Sequence, residues 1–308
     1  MQFMQFRFSK AIDFVAMFPI MTGLSVLFCI LSLVLLLSKG LTYGVDFKGG
    51  AEVQVKFSKY IDAGEVRSAL EKSGLAISQV QQIGSAEENE YLVKVAASEK
   101  DINAIAQKVA SEVSTTLGSF GPEIRKIDVV GPKAGEQLRT SGLWAVFWSL
   151  IGIMIYVGLR FDVKYSPGAA ISLAHDVLLV LGVFCITGKE FNLQILGAVL
   201  ALVGYSINDT VVIYDRIREN EEKGIGNSVK KIINTALTDT LGRTFLTAGS
   251  TFVVCLFMFL FGGGVIHDFF FTFCFGIIVG TYSSIFVAAP LVLLMYRLIE
   301  SRGRRKLG

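Results

Sequence analysis

The chain has 308 residues, 52% of them hydrophobic and 18% charged, with a mean hydropathy of +0.57 and a formal net charge of +3. An ordinary soluble domain is less apolar, at or below about 45–50%, so the composition reads as that of a membrane protein. The net charge is small and the basic residues sit beside apolar runs instead of forming one patch, which argues against nucleic acid as a partner.

In chain order, the first apolar window covers about 16–37. It is longer than the apolar core of a signal peptide and no clear small-residue cleavage site follows it, so it reads as a permanent anchor. Pro19 suits its first turn, where a missing N–H is not needed. Residues 1–38 are thus the N-terminus and first transmembrane helix.

Residues 39–141 read as an external α+β domain. AEVQVKF (51–57) alternates as a strand does; Asp62 then caps a short helix in which Val66 and Leu70 share a face, and Gly74 ends it. ISQVQQI (77–83) and YLVKVA (91–96) read as two further strands. Ser98-Glu99-Lys100-Asp101 opens a longer helix with Ile102, Ile105, Val109, Val113 and Leu117 on one stripe and Gly118 after it. EIRKIDVV (123–130) is a fourth strand, closed by Gly131-Pro132. The order βαββαβ is that of a ferredoxin-like split unit, and about a hundred residues can bury a core of their own. With no His, no Cys and carboxylates scattered among lysines, it reads as a binding or gating module without chemistry.

Five further windows, at about 142–159, 167–187, 193–214, 244–262 and 269–296, are long enough to cross about 30 Å of hydrocarbon. The fold class is therefore an α-helical polytopic membrane protein: six transmembrane helices with a small ferredoxin-like α+β domain between helices 1 and 2. Arg7 and Lys10, Arg160 and Lys164, Arg216 to Lys231, and Arg297 to Lys306 all fall on one side, which the positive-inside rule makes cytoplasmic, together with both termini. The opposite short turns, Gly188-Lys189-Glu190 and Gly262-Gly263-Gly264, carry almost no positive charge. Trp144 and Trp148 suit an interfacial aromatic belt and equally suit a helix bundle. NSVKKIINTALTDT (227–240) is amphipathic and reads as a helix in the inner interface, with a plain connector as the alternative. Residues 142–308 thus hold helices 2–6, that interfacial helix and a basic C-terminus. Cys29, Cys185, Cys255 and Cys274 lie far apart in apolar runs without CxxC spacing, so neither a disulfide framework nor a zinc site is expected.

The polar residues of the membrane segments carry the chemistry. Asp209 stands about seven residues, roughly 10 Å, from Arg216 at 1.5 Å per residue, inside the apolar zone of the fourth span. An ionised carboxylate there costs roughly 2.5–3.5 kcal/mol on insertion scales and marks a candidate for moving protons or ions. Tyr205, Ser206 and Asp209 share a face by i, i+3 and i, i+4 spacing, with Asn208 and Thr210 beside them. Arg243 opens the fifth span, ahead of Thr244, Thr247, Ser250 and Thr251, at a depth similar to Asp209. A pair that breaks and remakes would let proton affinity follow conformation. The alternative is a static helix–helix hydrogen-bonding post. His175-Asp176 in the third span is a second acidic site, and Asp176 is assigned a supporting role. His267 reads as a surface residue, and two histidines make a histidine metal cluster improbable. Asp215-Arg216-Ile217-Arg218-Glu219 reads as an interfacial anchor.

GVDFKGG (44–50), YVGLRFDVKYSPGAAISLAHD (156–176), GYSINDTVVIYDRIREN (204–220) and LGRTFLTAGST (241–251) together resemble the SecF family of bacterial protein-export membrane subunits, in order and over nearly the whole chain. The resemblance implies a resistance-nodulation-division type of proton-driven machine without enzymatic chemistry or cofactor. Its implied partner is SecD, and with it the SecYEG channel, SecA and preprotein substrates, in the bacterial cytoplasmic (inner) membrane. It implies that the proton motive force helps draw a preprotein out of the channel after SecA has acted. By it, Asp209 and Arg243 are the proton-pathway residues; from their own chemistry and position, Asp176, Ser206, Asn208, Thr210 and Thr247 are assigned a supporting role. Asp46, Lys48, Gly49 and Gly50 match the family's signature after the first helix; its glycines suit a tight turn. A proton-coupled exporter of small molecules and a purely structural assembly factor are the alternative function classes. A hydrolytic enzyme is disfavoured, since no nucleophile–base pair, phosphate-cradling loop or metal cluster is visible. The coupling ion, proton or sodium, is not distinguished by the residues.

Overall fold

A computed structural model describes residues 12–75, 77–83, 88–96 and 102–305. Arg7, Lys10 and Lys306, and the helix opening expected at Ser98–Asp101, lie outside the described residues, as do the side chains of Ile102 and Ile105.

Among the described residues, six helices are long and apolar enough to cross a membrane. The first, α1 (Phe14–Ser38), begins at Asp13, whose side chain accepts from the Ala16 N–H. A one-turn α2 (Val45–Lys48) follows and leads into the α+β unit. There β1 (Gly50–Phe57), α3 (Ala63–Lys72), β2 (Ile77–Ile83), β3 (Glu90–Ala96), α4 (Ile102–Thr116) and β4 (Pro122–Val130) build one antiparallel sheet in the order β2-β3-β1-β4. That is the split βαββαβ arrangement expected. Alternation along β1 sends Val53, Val55 and Phe57 to the helix-covered face, where they meet Val66 and Leu70 of α3 and Val109 and Val113 of α4. Asp62 caps α3 through the Gly64 N–H, at 2.8 Å.

Beyond the sheet run α5 (Pro132–Arg160), α6 (Ser166–Thr187), α7 (Leu193–Glu222), α8 (Val229–Phe261) and α9 (Gly264–Ser283). A π-helical turn at Ser284–Ala288 then leads into α10 (Ala289–Arg305), and α9, the turn and α10 form the sixth span. Helix α5 starts at Pro132, ahead of the apolar window that begins at about residue 142. Residues 229–240 are likewise the first turns of α8 and not a separate interfacial helix. With 33 residues, α8 is roughly 50 Å long, so a single helix can cross the hydrocarbon and continue past it. The polar pattern of 227–240 marks where the bilayer stops, not where the helix does.

Within this chain α6, α7 and the sixth span form the core, with about half or more of their apolar windows buried; α1, α5 and α8 are peripheral. Trp144 and Trp148 of α5 are exposed on the rim of the bundle and stack on one another. All four cysteines are free, and three are buried as small apolar residues.

Candidate functional site

Among the described residues, two carboxylates lie buried among the membrane helices, and their surroundings differ. Asp176 on α6 is 1% exposed. Its Oδ2 accepts from Ser206 Oγ of α7 at 2.6 Å and from Ser283 Oγ of α9 at 3.0 Å, and its Oδ1 lies 3.0 Å from His175 Nδ1. Asp209 on α7 is 5% exposed. Among the described residues it has no hydrogen bond and no ion pair; the cation whose field reaches it is Arg243 of α8. The expected polar face of α7 is real, but its members point to different neighbours. Ser206 serves Asp176 and not Asp209; Thr210 Oγ1 lies 2.9 Å from Ser284 Oγ; the Tyr205 hydroxyl donates to the Thr247 carbonyl at 3.2 Å.

Helix α8 approaches along its hydroxyl row. Thr247 Oγ1 donates to the Arg243 carbonyl, and Ser250 and Thr251 donate to the Thr247 carbonyl. These hydroxyls are thus satisfied by their own helix, and Thr247 touches α7 through its backbone. Arg243 itself lies on the wall of a polar cavity of about 480 Å³ at the end of the bundle away from the sheet, shared with Arg160, Asp215, Arg216 and Asp239. There Arg216 holds Asp239 of α8 and Glu219, each at 2.6 Å, which fastens the charged end of α7 to α8. Asn208 points away from the core: with Gly197, Ala201 and Gly204 it forms an exposed stripe along α7, one residue around from Asp209.

At the opposite end the GVDFKGG segment is a joint. The Asp46 carboxylate accepts from the Leu193 N–H at 2.9 Å, and Asn192 Oδ1 accepts from the Ile195 N–H at 2.9 Å. Between them they satisfy donors that the first turn of α7 would otherwise leave unpaired. Phe47 stacks on Phe191, with ring centroids 6.0 Å apart. Gly49 has φ +83°, and a Cβ there would lie 2.7 Å from backbone atoms of Pro132; a Cβ on Gly50 would collide with the Val95 carbonyl oxygen. Only glycine lets the chain turn this closely between α5 and β3. Lys48 is exposed.

The joint has a second part that sequence reasoning missed. Lys94 of β3 is 3% exposed and meets Glu190, in the turn between α6 and α7, at 3.2 Å and Glu52 of β1 at 3.5 Å. Burial opposes the ammonium charge, but the two carboxylates prevail and hold the Lys94 pKa above its ordinary value. For Glu52 burial prevails over Lys94 and pushes its pKa up. Alternation with Tyr91, Val93 and Val95 puts Lys94 on the sheet face away from the helices, where a lysine reads as an ordinary exposed residue. Ser283 was missed as well, although the hydroxyl run Thr281-Tyr282-Ser283-Ser284 inside an apolar span was its trace. His267, half-buried at the rim, sits 3.1 Å from Asp268, which also takes the ammonium of Lys189. Among the described residues no group of His, Cys, Asp and Glu side chains could hold a metal.

Fold and site together define a multi-pass membrane protein whose α+β unit is fastened to the start of the helix that carries its buried acid. Residues 109–298 match the family described as protein export membrane protein SecD/SecF, C-terminal, and residues 34–60 match the SecD/SecF GG motif. The protein translocase subunit SecF of Magnetococcus marinus is 44% identical over 90% of this chain and 88% of its own length; that of Rickettsia prowazekii is 38% identical over 91% and 89%. The crystal structure of SecDF, a translocon-associated membrane protein from Thermus thermophilus, superposes with a TM-score of 0.78 at 30% identity over 94% of this chain. A super-membrane-facing form of SecDF superposes with a TM-score of 0.72 at 29% identity over 97%. The chain spans 39% and 40% of those two structures. It belongs to the SecF family of protein translocase subunits.

Proposed function

We propose that this chain is the SecF-like half of a two-part machine, joined to SecD, that uses the proton motive force to promote preprotein translocation and release after the SecA-driven step at SecYEG. The observation that carries the reading is Asp209: a carboxyl group in the apolar zone with no hydrogen bond or ion pair among the described residues, beside an arginine on the wall of a polar cavity. An acid already committed to a salt bridge would have little reason to change protonation; one left without a pair can load and release a proton as Arg243 approaches and withdraws. One elementary charge crossing the field yields about 2.3 kcal/mol per 100 mV, about fiftyfold in an equilibrium. The cavity supports a water route to Arg243 from the side that the positive-inside rule makes cytoplasmic, in a bacterial inner membrane with both termini inside. Thr247 and Thr210 support the helix contacts around the acid, and Asp176 and Ser206 form a second polar node.

The exposed stripe Gly197, Ala201, Gly204 and Asn208 supports SecD as the neighbour. Three small residues let a helix approach closely, and a polar Asn in a membrane span seeks a partner there. Motion of α7 would pass to the α+β unit through Asp46 and the Lys94–Glu190 pair, which makes that unit the moving, substrate-handling part. The test is preprotein release from energised vesicles containing SecYEG, SecA and the SecD complex. Asp209→Asn and Arg243→Met are expected to abolish gradient-stimulated release while assembly with SecD survives. Full release with either variant rejects the reading.

A further inference from the structure

Asp176 and His175 form a buried cluster that the Asp209–Arg243 reading does not need. The carboxylate is 1% exposed and His175 5% exposed, and no lysine or arginine pairs with either among the described residues. His175 Nε2 is buried and has no hydrogen-bond partner among the described residues. The elements packed around the cluster bring few other ionisable groups. Helix α1 brings the Cys29 thiol within electrostatic reach of the carboxylate. Helix α9 brings Tyr282, whose ring lies 6.3 Å from the imidazole and whose hydroxyl donates to the Met21 carbonyl at 2.6 Å. Helix α7 brings Ser206, with Asp209 one turn further on. Helix α5 has no titratable residue between Arg139 and Tyr156, and the π-helical turn and α10 have none before Tyr296.

Proton counting narrows the states. With one N–H on the imidazole, at Nδ1, and an ionised Asp176, the carboxylate's bonds are made, but the cluster holds a net negative charge in the bundle core and the Nε2 lone pair has no donor. The donors Ser206 and Ser283 favour that form. Adding one proton neutralises the cluster, whether it rests on Asp176 or makes the imidazole cationic. When the imidazole is cationic, or when the shared proton sits on Oδ1 opposite a bare Nδ1, Nε2 carries an N–H with no acceptor, which opposes that form. Each form is penalised, one by a buried charge with an unpaired lone pair and the other by a buried unpaired donor, so neither is locked in place.

We propose that His175 and Asp176 form a second proton-binding site, a dyad that shares one exchangeable proton between Asp176 Oδ1 and His175 Nδ1. The proton comes from water and returns to it; no other group is oxidised, reduced or transferred. Because Ser206 bonds the carboxylate directly and precedes Asp209 by one turn, loading the dyad alters a contact that positions the acid-bearing helix. Its part in transport rests on the proton-driven reading above, whereas its chemistry does not.

The sequence offers a direct test, since His175 and His267 are the two histidines of the chain. His267→Gln leaves one imidazole, and ring-labelled histidine in the full chain, assembled in lipid nanodiscs, can be followed by nitrogen NMR from about pH 5 to about pH 9. The ring-nitrogen shifts are expected to change across that range, and Asp176→Asn is expected to displace that change. A ring that keeps one set of shifts throughout overturns the proposal, even without the second variant. A midpoint indifferent to Asp176→Asn overturns the sharing of the proton. Repeating the titration in an Asp209→Asn background separates the two readings. If the ring titrates while gradient-driven release is normal in that background, Asp209 is at fault and the dyad stands; a silent ring with release lost only in Asp209→Asn spares Asp209 and removes the dyad.

Discussion

Two buried charges, one in the joint between sheet and bundle and one in the bundle itself, are treated in opposite ways. Lys94 is surrounded by Glu190 and Glu52 at 3.2 and 3.5 Å, whereas Asp209 has no ion pair among the described residues although Arg243 is within reach of its field. A charge held by fixed partners strengthens a joint but cannot readily change state. A charge without fixed partners weakens the local structure and gains the ability to gain and lose a proton. On the proposed function, this separates the part that transmits movement from the part that responds to a gradient.

The comparison can be broken most forcefully at Asp209. Replacing it with Asn should cut gradient-stimulated preprotein release by more than tenfold, from the size of the electrical work per charge, with little change in thermal unfolding. The opposite pattern is expected at Lys94. Lys94→Met leaves two half-buried carboxylates without their cation, at a cost of about 1–3 kcal/mol, visible as faster amide exchange in β3 and in the first turn of α7. Gly49→Ala tests the same joint by shape. It forces a side chain into a left-handed backbone and against Pro132, for about 1–2 kcal/mol from the backbone alone, read as a lower melting temperature of the assembled chain. The smallest change is expected at Glu52. Because burial raises its folded pKa, its ionised form is disfavoured by folding: that contribution is fully present below the unfolded carboxylate pKa and is lost as pH rises through the raised value. Glu52→Gln should therefore leave the joint as stable or slightly more so at neutral pH. Lys94, also raised, contributes stability that persists below the ordinary lysine pKa and is lost as pH rises through its own. Loosening of the joint in alkaline solution that persists in Lys94→Met would detach it from this lysine.

Much of the architecture was legible beforehand, because apolar run length and alternation report burial directly. The six spans, the four strands of the sheet and the Asp62 cap follow from those patterns. Helix continuity does not. The polar residues of 227–240 and 132–141 signal departure from hydrocarbon, and the same hydrogen-bonded helix continues through both. Partner choice was likewise hidden. Spacing puts Ser206 and Asp209 on one face of α7, but only the placement of α6 and α9 directs Ser206 to Asp176 alongside Ser283. Glu190 and Lys94 are 96 residues apart, and no local pattern links a turn between spans to a strand of a distant sheet.

The central claim is that the Asp209 carboxyl changes protonation when the gradient changes, and infrared difference spectroscopy of the complex assembled with SecD measures that step itself. Imposing a pH difference across the vesicle membrane should produce a protonated-carboxyl band that disappears in Asp209→Asn and shifts in Arg243→Met. Difference spectra that are identical for the wild type and Asp209→Asn would contradict the account.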